Sequence, residues 1–98
     1  MEIKKVLNDK ELNVELIGRL DTITSRDLEQ VVEGELEGIT SLVYDFKGLE
    51  YVSSAGLRVL LKSQKTMNKQ GEMVIKNASD SVKEIFDITG FSEIFTLQ

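Results

Sequence analysis

Two adjacent hydroxyls, Ser53 and Ser54, stand where an aliphatic run gives way to helical spacing, in Asp45-Phe-Lys-Gly-Leu-Glu-Tyr-Val-Ser-Ser-Ala-Gly-Leu-Arg-Val-Leu-Leu61. Ser54 falls at or next to the expected N-cap, where a serine oxygen accepts a hydrogen bond from a first-turn amide. Ala55 and Gly56 carry so little side chain that the backbone there is open to close approach by another molecule. The segment therefore reads either as a plain helix cap or as a contact point. Asp21, in Gly18-Arg-Leu-Asp21, reads as a loop or capping carboxylate. Arg58, Lys62, Lys65 and Lys69 recur at spacings of four, three and four, so they form one basic stripe. That stripe is either an ordinary solvated helix face or a surface for an acidic partner.

Other chemistries are excluded by what the chain lacks. There is no histidine and no cysteine, which removes imidazole bases, thiolate nucleophiles, disulfides and the usual zinc ligands. Asp21, Asp45 and Glu50 show no paired-acid spacing, and neither a Gly-rich phosphate loop nor a nucleophile elbow is present. A phosphoaspartate receiver built on Asp45 would need an acidic pair after the first strand and a lysine at a strand end in the closing segment, and neither is there. No enzyme, no cofactor and no metal site is expected. Seventeen acidic against twelve basic residues give a net charge of −5, which repels a phosphate backbone and points to protein partners. Short apolar runs and an amino terminus without a signal-peptide pattern lead to the expectation of a cytoplasmic protein with no membrane association.

The elements that must hold these residues are legible from periodicity. Residues 2–7 and 12–18 have strand density on either side of the polar Asn8-Asp-Lys-Glu11 and predict a hairpin. Leu28, Val31, Val32 and Leu36 predict the core face of a first helix, with Thr24 or Ser25 as its N-cap. Residues 41–46 predict a strand buried on both faces, followed by a loop through Ser54. A second helix, with Leu57, Leu60, Leu61 and Met67 on its inner stripe, should end at Gly71 in a left-handed conformation. Glu72-Met-Val-Ile-Lys76 is a further strand. Ser79, Asp80 and Ser81 open a third helix with core residues Val82, Ile85 and Phe86; Ser81 and Glu84 fit a capping box, and Gly90 is the stop. Phe91–Leu97 closes the chain as a strand or a packed tail. The order β-β-α-β-α-β-α-β predicts one α/β domain over residues 1–98, a small single-layer mixed sheet covered by helices mainly on one side.

The run Val52-Ser-Ser-Ala-Gly-Leu-Arg-Val-Leu-Leu61, preceded by Leu42-Val-Tyr-Asp-Phe46 and Gly18-Arg-Leu-Asp-Thr22, resembles the STAS family, the anti-sigma factor antagonists of bacterial partner-switching systems. The likeness extends through Gly71–Ile75 and Ser81–Phe91, so it covers essentially the whole chain. It implies a non-catalytic protein that is itself a substrate. A serine kinase that doubles as the anti-sigma factor would phosphorylate it, and a phosphatase would reset it. The unphosphorylated form would bind the anti-sigma factor and release the sigma factor. Aligned on Gly56-Leu57, the family's phosphoacceptor falls on Ser54, with Ser53 as a minor site. Ser53 stands where the family usually has Asp, and Ala55 where it has a second hydroxyl. The resemblance also implies that Asp21, Ser53, Ala55, Gly56, Leu57 and Arg58 face the partner. A STAS module serving a phosphatase, a chemotaxis system or another non-sigma partner is the alternative that this variant motif leaves open.

Overall fold

A computed structural model describes residues 1–98. Strands β1 (Glu2–Asn8) and β2 (Glu11–Leu20) form the expected antiparallel hairpin, which turns through Asp9 at a positive φ of 55°. Helix α1 (Thr24–Glu35), strand β3 (Ser41–Val52), helix α2 (Ser54–Asn68), strand β4 (Glu72–Lys76), helix α3 (Asp80–Thr89) and strand β5 (Thr96–Leu97) follow. The predicted order is the observed one, with a 3-10 turn at Phe91–Glu93 before the short last strand.

The sheet runs β1-β2-β3-β4-β5, with β1 antiparallel and the other pairs parallel. Neighbouring parallel strands joined in sequence by crossovers of one hand must carry their helices on one face. The register agrees: Leu12, Leu42 and Met73 lie side by side, as do Val14, Tyr44 and Ile75, and all six are buried. Leu28 and Val32 of α1, Leu57, Leu60 and Met67 of α2, and Val82 and Phe86 of α3 complete a single core of 23 buried residues. Phe46, Phe86 and Phe95 continue it as an aromatic ladder with centroids 6.4 and 5.3 Å apart. Leu61, expected on the inner stripe of α2, is only half-buried, and Val59 is buried instead.

Four local expectations are corrected. Strand β3 continues through Val52 where a loop was predicted, and its second face, at Val43 and Asp45, is only half-buried. Its register against β2 slips at two places, each adding a residue on β3, so the buried positions run Leu42, Tyr44, Phe46, then Leu49, then Val52. Alternation is lost, and with it the strand signal. Gly71 does not adopt a left-handed conformation; α2 ends at Asn68, and a Cβ on Gly71 would lie 1.9 Å from the Thr40 carbonyl oxygen. The glycine is there for a backbone contact, not for a cap. In α3 the cap is Ser79, whose oxygen accepts from the Val82 amide at 3.2 Å, so the Ser81–Glu84 box is not what closes the first turn. Gly90 does stop α3, at φ 82°. The α1 cap is the fourth correction and belongs to the site.

Candidate functional site

The chain leaves β2 at Leu20 and leaves β3 at Val52, and both exits lie at the carboxyl ends of paired parallel strands. In open α/β sheets this is the edge at which loops gather to meet other molecules. The Ser53 amide donates to the Leu20 carbonyl at 2.8 Å, which ties the start of α2 to the loop that begins α1. Asp21 follows Leu20 in the chain, so this bond joins the loop that carries Asp21 to the start of α2.

Asp21 caps α1. Its Oδ1 accepts from the amides of Ile23 (3.0 Å) and Thr24 (2.9 Å), while its own amide donates to the Thr24 hydroxyl oxygen (2.8 Å). Thr24 is thus the far partner of a reciprocal box, and neither it nor Ser25 is the N-cap. The hydrogen bonds from Thr24 lower the Asp21 pKa, helped by the Ile23 amide and the Arg19 charge and opposed by partial desolvation. A carboxylate so engaged is a poor base for a neighbouring hydroxyl.

Ser53 caps α2. With ψ at 172° its backbone is extended, and its oxygen accepts from the Gly56 amide at 3.2 Å. Ser54, expected at or next to the cap, is next to it, as the first helical residue; it is exposed and caps nothing. The two serines are therefore not equivalent: one hydroxyl is used by the fold, and the other is presented to solvent at the positive end of a helix of 15 residues.

Gly56 and Leu57 depart from the expected contact role. Gly56 is buried, and a Cβ there would meet Leu20 Cγ at 2.8 Å and the Leu20 carbonyl at 3.1 Å, so the missing side chain serves the packing of α2 on β2. Leu57 is 5% exposed and belongs to the core. Of the six residues expected to face a partner, Arg58 is exposed and Asp21, Ser53 and Ala55 are half-buried; Gly56 and Leu57 point inward.

Two features of the same edge escaped the sequence. Ile23 is 74% exposed beside the Asp21 cap. Its signal was an isoleucine in the polar Asp21-Thr-Ile-Thr-Ser25, out of phase with Leu28 and Val32. Arg19 sits 4.5 Å over the ring of Tyr51, its neighbour across β2 and β3, a pairing that only the doubly slipped register creates. The edge thus combines an apolar tip, an aromatic–guanidinium pair, a capping carboxylate and a free hydroxyl, a mixture suited to protein contact.

Asp45 is not part of this edge. Asp45 is on the uncovered sheet face, where it accepts from the Lys47 amide (3.0 Å) and from Asn77 Nδ2 (3.1 Å). Partial burial would raise its pKa, but these donors and the nearby lysines outweigh it, so the carboxylate stays ionised. No three acidic side chains converge anywhere in the chain. No helix is long and apolar enough to cross a membrane.

Comparison with known proteins bears on this geometry. The STAS domain family profile matches residues 2–98. BtrV of Bordetella bronchiseptica, provisionally assigned as an anti-sigma factor antagonist, is 37% identical over 82 residues, which cover 82% of this chain and 71% of that protein. The anti-sigma-B factor antagonist of Staphylococcus aureus is 27% identical over 96 residues, 96% of this chain and 89% of the relative. Among solved structures, the backbone matches the anti-sigma factor antagonist SpoIIAA in its unphosphorylated form (TM-score 0.79, 14% identity, 99% of this chain and 87% of that one). It matches the phosphorylated form of SpoIIAA, from Bacillus, equally well (0.78, 15%, 99% and 91%). At that identity the likeness concerns the fold.

Proposed function

This chain belongs to the STAS domain family and is an anti-sigma factor antagonist, a non-enzymatic regulator, and on that premise we propose that the hydroxyl of Ser54 is its switch. Unphosphorylated, the protein binds an anti-sigma factor across the edge formed by Asp21, Ile23, Ser53, Ser54, Ala55 and Arg58, and the sigma factor is released. The anti-sigma factor is also a serine kinase; it phosphorylates Ser54 and so dismisses the antagonist, and a phosphatase restores it. All of this takes place in the cytoplasm. The observation that carries the assignment is the division of labour between the serines, with Ser53 engaged as the cap and Ser54 exposed beside it.

The physical consequences follow from position. A phosphate on the first residue of α2 adds about −1.5 to −2 charges, yet it meets unpaired first-turn amides and a favourable dipole, so the fold tolerates it. A closely packed partner meets a solvated dianion on a surface that already carries Asp21. The nearest cation on the same helix face is Arg58, one turn on. The test is incubation with the cognate kinase and ATP followed by peptide mass spectrometry. Phosphate on Ser54, with a minor fraction on Ser53 that rises in Ser54→Ala, is the expected result. Phosphate exclusively on Ser53, Thr22 or Thr24 would sink the assignment.

A further inference from the structure

A groove of about 500 Å³ runs between α1 and α2, opening at Thr22 and Ala55 beside the switch and ending at Lys69. Its walls carry five cations, Arg26 from α1, Arg58, Lys62 and Lys65 from α2 and Lys69 at its C-cap, against one carboxylate, Glu29. Lys62 is committed within the fold: it bridges to Glu29 at 3.6 Å and to Glu33 at 2.5 Å, which pins the two helices together and raises its own pKa. Arg26, Arg58, Lys65 and Lys69 form no ion pair. On a chain of net charge −5, four unneutralised cations along one groove are a segregated positive field. An anionic occupant would find this field favourable.

The shape restricts that occupant. From Arg58 to Lys69 the helix rises about 16 Å at 1.5 Å per residue, so the cations form a line and not a cluster around one point. Val59 and Leu61, which also line the groove, flank the line of cations on opposite sides. A line of cations with apolar margins suits an elongated segment that sets carboxylates along its length and rests aliphatic residues beside them. The groove is also continuous with the edge around Ser54, since Ala55 and Arg58 belong to both.

We propose that the groove between α1 and α2 docks an acidic segment of the protein partner, with carboxylates set against Arg26, Arg58, Lys65 and Lys69. This extends the partner surface proposed above, and it rests on that reading for the identity of the partner. The segment anchors the complex away from Ser54, and Arg58 is the cation shared between the anchor and the switch.

The test uses the full chain, labelled with nitrogen-15, and a synthetic 15-residue helical peptide with glutamates spaced four, three and four and leucines beside them. Amide shifts confined to Thr22, Ala55, Arg58, Thr66 and Lys69 are expected. The Lys65→Glu/Lys69→Glu variant should weaken binding by about tenfold or more, Lys65→Gln/Lys69→Gln less, and added salt should weaken the wild type in the same direction. The glutamine pair guards against a helix end disturbed by reversed charge. Equal binding of a peptide with glutamine for glutamate, unchanged affinity in both double variants, or occupation of the same amides by ATP or oligothymidylate at lower concentration would overturn the proposal. The titration involves no modification of Ser54, so a failed phosphorylation switch leaves its outcome intact.

Discussion

Replacing Ser53 and Ser54 one at a time should separate stability from switching. Ser53 supplies the oxygen that accepts from the Gly56 amide, so Ser53→Ala loses an N-cap worth about 1 kcal/mol. For a chain of this size that corresponds to a fall of roughly 4–8 °C in melting temperature. Ser54→Ala removes an exposed hydroxyl that caps nothing and should stay within about 0.5 kcal/mol of wild type. Ser54→Asp places a carboxylate in the first turn, where the dipole contributes about 0.3–1 kcal/mol, and should melt at or slightly above wild type. Binding to the cognate anti-sigma factor should sort the variants differently. Ser53→Ala and Ser54→Ala should bind, while Ser54→Asp should bind roughly ten- to a hundredfold more weakly. True phosphorylation, which obliges a close-packed partner to desolvate a dianion, should cost two to three orders of magnitude, or about 3–4 kcal/mol. Circular dichroism melts and isothermal titration calorimetry are sufficient. If Ser54→Ala melts as low as Ser53→Ala, Ser54 is the cap after all; if all variants bind as wild type does, the phosphorylation switch is wrong.

The packing of the site yields further expectations. Gly56→Ala must push a Cβ against Leu20 at 2.8 Å and should cost about 1–3 kcal/mol in chemical denaturation; a wild-type midpoint would mean that α2 can slide away from β2. Gly71→Ala drives a Cβ into the Thr40 carbonyl at 1.9 Å, a backbone contact with no rotamer to give way, and should cost more than Gly56→Ala; an equal or smaller loss would contradict the close approach. Asp21 should matter in a pH-dependent way. Its folded-state pKa lies below the unfolded value of about 3.9, so its contribution is fully present above that value and is lost as pH falls through the folded one. Asp21→Asn should therefore be less stable than wild type at neutral pH and converge with it in acid, and a constant gap at every pH would refute the charged-cap role. Isothermal melts between pH 7 and about pH 2 give the comparison.

The elements that were legible in the sequence are those whose signals are local. The hairpin, the first-helix stripe (Leu28, Val32 and Leu36, with Val31 only half-buried) and the stop at Gly90 depend on neighbours within a few residues, and each formed where it was predicted. The second half of β3 was hidden because its phase is set by β2: two extra residues on β3 shift the inward positions to Leu49 and Val52, and no period-2 template survives that. Gly71 was misread because a glycine after a helix has a strong local explanation, whereas the actual constraint is the Thr40 carbonyl of another loop. The same limit applied at the site. The position of Ser54 at the start of a helix could be read directly, but the roles of Ser53, Gly56 and Leu57 depend on Leu20, which is far upstream and reaches them only through the parallel pairing of β2 and β3.

That dependence on Leu20 also means that Ser54, the phosphoacceptor proposed above, would be modified without consequence for the fold. Three contacts fix the first turn of α2: the Ser53 amide on the Leu20 carbonyl, the Ser53 oxygen under the Gly56 amide, and Gly56 seated on the Leu20 side chain. None of them uses Ser54. The capping oxygen belongs to Ser53 and not to Ser54, so a phosphate on Ser54 would not need to displace the cap in order to reach the free amides of the turn. A chain in which a single serine did both jobs would couple phosphorylation to unravelling of the helix and would lose about the worth of a cap, roughly 1 kcal/mol, with each modification. Under the proposed assignment, a phosphate on Ser54 would be felt at the surface instead, in the charge set against whatever covers Asp21, Ser54 and Arg58, and the switch would act through the interface alone.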